Sequence, residues 1–150
     1  MVQEQHVASW RRLFLLVVLA LAVLPAWAQS GKPTTPAPGT AERKAIMDSL
    51  RVPVEKQLKR KVIFKVNFLK VQNGWAHMRG RPLNPDSSPI DYHGTPYQEA
   101  IDAGAFDDGV YALLHKVKGK WKVVTYNIGA TDVVWDGWDK EYGAPSAIFK

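Results

Sequence analysis

The chain has 150 residues, no cysteine, and 20 Lys and Arg against 14 Asp and Glu, for a formal net charge of +6 with histidines neutral. Lacking cysteine, it has no disulfide staple, thiolate metal site, thiol nucleophile or redox exchange, so its stability has to come from an apolar core. A domain of roughly 110 residues buries about two thirds of its unfolded surface, enough to fold independently.

The first element in chain order is an export signal. Arg11 and Arg12 precede an unbroken apolar run from Leu13 to Leu24, Pro25 breaks it, and Ala26-Trp27-Ala28 supplies a small-x-small pattern. A positive n-region, an apolar stretch of about 7–15 residues and an A-x-A site define a cleavable secretory signal. The spacing predicts cleavage after Ala28 and a periplasmic or secreted product. The run falls short of the ~20 apolar residues a membrane span needs, so no transmembrane segment is expected after cleavage. Arg11-Arg12-Leu13-Phe14-Leu15 resembles the core of a twin-arginine signal. Trp10 stands where Ser or Thr is usual and Leu16 where Lys is common, and the strong hydrophobicity of the run favours the general secretory route. No cysteine follows it, which excludes lipoprotein anchoring.

Residues 29–40, QSGKPTTPAPGT, carry nothing that can bury a core and read as a semi-extended tether. Residues 41–150 read as one α+β domain. Thr40 is the expected N-cap of a first helix in which Ile46, Leu50, Val54 and Leu58 recur every four residues. Glu42 suits the positive end of that helix, and Lys59, Arg60 and Lys61 its negative end. Pro53 interrupts the pattern, which predicts a long kinked helix or two short ones meeting near Arg51.

Strands follow. Val62, Phe64, Val66 and Phe68 alternate with Ile63, Lys65 and Asn67, the period of a half-buried strand. Asn73-Gly74 is a hairpin signal, and the return strand runs from Trp75 to Arg81. A second hairpin is expected from Val110 to Val117, turning at Lys118-Gly119-Lys120, with a last strand from Trp121 to Ile128. The long connection 82–109 holds Pro82, Pro85, Pro89 and Pro96 and is read as functional or partly structured, with a short helix over Tyr97–Ala105. In the tail, Thr131 or Asp132 is expected to cap a helix carrying Trp135, Trp138 and Tyr142, stopped by Gly143. This order predicts an N-terminal helix packed on a curved antiparallel sheet of about four strands, with a short C-terminal helix.

The phrases FKVNFLKVQNGWAHMRG and ALLHKVKGKWKVVTYNIGATDVVWDGWDKEYGAPSAIF resemble those of small exported bacterial proteins of uncharacterised function. The resemblance covers about residues 41–150. It implies a fold similar to cystatin-like or NTF2-like folds, in which a helix sits in a curved antiparallel sheet. That wider fold includes ketosteroid-isomerase-like enzymes as well as non-enzymatic modules, and no catalytic residue carries over.

Charge is uneven after signal cleavage. Eighteen basic and thirteen acidic residues leave a net +5, and the stretch from Lys32 to Lys70 alone holds ten basic residues against three acidic ones. Such a run is most often a solvated helix face; anionic lipid or glycan is the second reading, and export argues against nucleic acid as a partner. His77, His93 and His115 show no metal-ligand spacing, no G-x-S-x-G elbow is present, and the glycines are scattered through turns. No catalytic residue, metal or cofactor is therefore assigned. Asp107-Asp108 reads as a solvated turn pair, and Asp91, Tyr92 and His93 as a small polar cluster. The candidate ligand or partner contacts are Trp135, Trp138, Tyr142, Asp132 and His93, because tryptophans at such spacing either pack a core or stack on a sugar or partner. The leading expectation is a non-enzymatic accessory or binding module of the cell envelope, with an envelope protein or glycan as partner. The alternatives are a small-pocket enzyme or ligand carrier of ketosteroid-isomerase-like type, which needs an open cavity between helix and sheet, and electrostatic attachment to anionic lipid or glycan through residues 56–70.

Overall fold

A computed structural model describes residues 31–150; the expected export signal and its expected cleavage site lie outside the described residues. Helix α1 spans Ala41–Leu58 without interruption. Thr40 caps it as expected, its Oγ1 accepting from the Arg43 N–H at 3.4 Å and donating to the Ala37 carbonyl at 2.8 Å. Thr40→Ala is expected to cost about 1 kcal/mol in urea unfolding; an unchanged midpoint would mean that neighbouring contacts alone hold the helix start. Pro53 lies inside α1, a position that costs about 3 kcal/mol in an isolated helix. Leu50 and Val54, the residues either side of it on the inner face, are both fully buried, so tertiary burial holds the helix continuous across the proline. The stretch read as a tether touches the domain: Thr34 exchanges two 2.8 Å backbone hydrogen bonds with Val71 at the outer edge of the first strand.

Four antiparallel strands follow in a meander, β1 Ile63–Gln72, β2 Trp75–Leu83, β3 Val110–Val117 and β4 Lys120–Ile128, ordered β1-β2-β3-β4 across the sheet. The two hairpins turn at Asn73-Gly74 and Lys118-Gly119, where all four residues have positive φ between 49° and 75°. Two consecutive left-handed residues match the right-handed twist of the flanking strands, which is why Asn-Gly is so strong a hairpin signal. The connection between β2 and β3 carries α2, Gln98–Asp102, a shorter helix than the expected Tyr97–Ala105. The fold is thus α+β with an N-terminal helix on a four-stranded antiparallel sheet.

Two positions depart from simple alternation, Asn67 in β1 and Val124 in β4. A bulge at Asn67 shifts the β1–β2 register between Val66 and Phe68. Phe64 and Val66 pack towards α1, whereas Phe68 turns to the opposite face and meets His77. The expected single stripe of Val62, Phe64, Val66 and Phe68 is therefore split, because an extra residue in one strand flips every side chain beyond it.

The tail also departs from expectation. Helix α3 is only Trp138–Tyr142, its N-cap is Gly137 and its C-cap is Gly143. Gly137 has φ +83°, which a right-handed helix does not admit. Trp135 therefore stands in the turns before α3 rather than on it, and Asp132 caps no helix; its carbonyl accepts from the Val134 N–H. Helix α3 and a following 3-10 turn, Ser146–Phe149, lie against the sheet face opposite α1, where Trp138 and Ile148 pack on Leu113. The domain is a three-layer stack: α1, sheet, C-terminal segment.

Candidate functional site

The space between α1 and the sheet is filled. Ile46, Leu50 and Val54 are fully buried with Met78, Ala112 and Leu114. Trp121, only 7% exposed, completes this core. Its indole N–H makes no hydrogen bond within the protein.

Chemistry-bearing side chains gather instead on the opposite face. The register pairs Trp75 with His115 and His77 with Leu113, which places both histidines on that face. His115 stacks on Trp75 with ring centroids 4.1 Å apart. His77 is fully buried beneath the C-terminal segment. Its ring centroid lies 4.7 Å from that of Phe149, 5.6 Å from Phe68, 5.7 Å from Trp135 and 6.1 Å from Trp138. Nδ1 lies 3.2 Å from the Ala112 carbonyl, an acceptor, so Nδ1 carries the proton; Nε2 has no partner. Burial pushes its pKa down to about 4, with the nearby Arg79 cation adding to the shift and the Ala112 carbonyl opposing it. His77 is a neutral member of an aromatic layer.

Arg79 stands two residues further along β2, on the same face and at the open end of that layer. Its guanidinium carbon lies 3.8 Å from the Phe68 ring centroid and 4.8 Å from that of Trp135. Tyr111, its cross-strand partner, also packs on Trp135, at 5.0 Å. The neighbouring Arg81 is neutralised by Asp108 at 2.7 Å, but among the described residues no carboxylate pairs with Arg79, and its Nε is buried without a partner. Burial disfavours its charged form and draws its pKa below the ordinary arginine value. A guanidinium does not give up its proton in a protein, so Arg79 remains a partly desolvated cation supported by two ring faces. Such stacking stabilises a cation by about 0.5–2 kcal/mol, less than an anion in contact would.

Of the residues singled out from the sequence, Trp135 is half-buried and belongs to this site. Trp138 is 6% exposed and is core; Tyr142 packs edge-on against it at 6.5 Å. Asp132 is exposed beside the turns that carry Trp135. His93 is elsewhere, on the connection, paired with Asp91 at 2.8 Å. Arg79, Phe68 and Tyr111 were not legible as a site. Their only sequence signal is that Arg79 shares strand parity with His77; the bulge that brings Phe68 beside them is invisible without register.

The basic stretch 32–70 does not form one field. Lys44 and Arg51 both bond Asp48, whose pKa is lowered first by Lys44 and then by Arg51, and Lys61 likewise lowers that of Glu55. Among the described residues no cluster of His, Asp and Glu has the arrangement of a metal site, and no helix is long and apolar enough to cross a membrane. Comparison of the chain with family models, with curated proteins and with solved structures gives no match.

Proposed function

We propose that the protein is an exported, non-enzymatic binding module of the cell envelope that recognises acidic sugars through Arg79 and Trp135. The observation that carries this reading is an arginine with no carboxylate partner, held against Phe68 and Trp135 at the edge of the outer aromatic layer. A uronic acid matches its three features. The sugar carboxylate meets the guanidinium in a charge-assisted pair. The apolar face of the ring stacks on the exposed part of Trp135. The hydroxyls donate to Asp136 and Asp139, which border a shallow hollow of about 240 Å3 beside Trp135. A filled interior between α1 and the sheet supports the same reading, since a ketosteroid-isomerase-like enzyme or carrier would need that space open.

The test is tryptophan fluorescence titration with oligogalacturonate and with a neutral oligosaccharide of the same length. Saturable binding of the uronate alone is expected, weakened at least tenfold in Arg79→Gln and in Trp135→Ala. Equal affinity for the neutral sugar, or no binding of either, would overturn it.

A further inference from the structure

A second concave site lies on the other side of the sheet. A cavity of about 250 Å3 opens between the C-terminal end of α1 and the segment 90–97 of the long connection. Its walls are Leu58, Ile90, Tyr92, Pro96 and Tyr97, with Arg60 among its polar groups. The aromatic wall is built rather than incidental. Tyr92 and Tyr97 meet edge-to-face at 5.6 Å, and both pack on Phe106, at 4.8 and 5.2 Å. The Tyr97 hydroxyl accepts from the Gln57 amide of α1 at 2.6 Å, which ties the connection to the helix. The Thr95 hydroxyl donates to the Tyr92 carbonyl and accepts from the Tyr97 N–H at 3.2 Å, fixing the turn that presents both rings.

The charges around this cavity are unequal. Lys59 and Arg60 are exposed, and among the described residues neither has an ion-pair partner. The one carboxylate in the lining, Asp91, is engaged by His93 through both its backbone N–H and its ring. An apolar, aromatic-walled space whose lining holds two cations, Lys59 and Arg60, against the single carboxylate Asp91 suits a ligand whose body is apolar and whose one polar group is an anion. The volume is ample for a single ring with a short substituent. We infer that this cavity binds a small monocyclic aromatic carboxylic acid, its ring against Tyr92 and Tyr97 and its carboxylate on Arg60.

The inference is independent of the acidic-sugar reading, because the two sites occupy opposite faces of the sheet and report through different rings. Benzoate, benzyl alcohol and acetate are titrated separately into the full chain, followed by the NMR signals of the Tyr92 and Tyr97 rings and of the Trp135 indole. Benzoate is expected to shift both tyrosines saturably and leave Trp135 unmoved, with benzyl alcohol and acetate each at least tenfold weaker. Arg60→Gln, an exposed substitution, is expected to weaken benzoate about tenfold and leave benzyl alcohol unchanged. Any of four results would overturn it: no saturable shift with benzoate, shifts centred away from the two tyrosines, benzyl alcohol or acetate binding as well as benzoate, or affinity for benzoate indifferent to Arg60→Gln.

Discussion

Lowering the pH from 7 to 4.5 is expected to destabilise the folded domain through one residue, His77, by about 2 kcal/mol. Its folded pKa is about 4 against an ordinary histidine value of 6.5. The unfolded chain therefore binds a proton on this side chain before the folded one does, and stability falls with falling pH across that window. The full shift corresponds to roughly 3 kcal/mol, reached once the pH is below the folded value. The cost arises because the imidazolium would sit among Phe68, Trp135, Trp138 and Phe149 with no acceptor for its second N–H and with the Arg79 cation two residues along the same face. Carboxylates whose pKa values are depressed, such as Asp48, Glu55 and Asp91, act mainly in a lower window, since their contributions are lost as the pH falls from the ordinary values of 3.8 for Asp48 and Asp91 and 4.5 for Glu55 towards the lowered ones. Urea unfolding of the wild type and of His77→Leu, each between pH 7 and 4.5, isolates the effect as a difference of slopes. The wild type should lose about 2 kcal/mol more than the variant. Parallel slopes would mean that the aromatic layer admits water to the ring.

Gly80→Ala is expected to cost about 2–3 kcal/mol, as much as a cavity in the core, although only a methyl group is added. A Cβ at this position would lie 2.4 Å from the Lys65 carbonyl oxygen, 3.1 Å from the Met78 terminal methyl and 3.2 Å from the Val66 Cα. The methionine can move; the backbone of β1 cannot without disturbing the bulge next to it. Because that bulge turns Phe68 outward, the variant should also loosen the stacking on Arg79, and the proposed binding of acidic sugars should weaken along with stability. Chemical denaturation of the variant measures the first effect. A change below 0.5 kcal/mol would show that β1 and β2 separate easily here and that the bulge is not held by close approach at Gly80.

Contrasts between particular residues show how far the sequence speaks. Asn73-Gly74 and Lys118-Gly119 declared their hairpins because the backbone conformation they need is written in the residue types themselves. Thr40 declared the helix start for the same reason, since a cap is a bond between residues three apart. Pro53 left one long helix and two short ones open: its local cost is real, yet burial of Leu50 and Val54 against a sheet that follows later in the chain outweighs it and decides for the single helix. Trp135 and Trp138 look equivalent at a spacing of three, but Gly137 puts one in a turn and the other on a helix. One is left half-buried beside Arg79 and the other becomes core.

By itself the sequence determined the α+β class, the order of the elements and both hairpin turns, because periodicity, capping and turn chemistry act between residues close along the chain. Only the tertiary structure decided that the interior between α1 and the sheet is filled, that the C-terminal segment covers the other face, and that Phe68, Arg79, Tyr111 and Trp135 meet. Those facts depend on strand register and on one bulge. A shift of one residue exchanges the two faces of a strand while leaving its composition unchanged, so no local pattern records which face a side chain finally occupies.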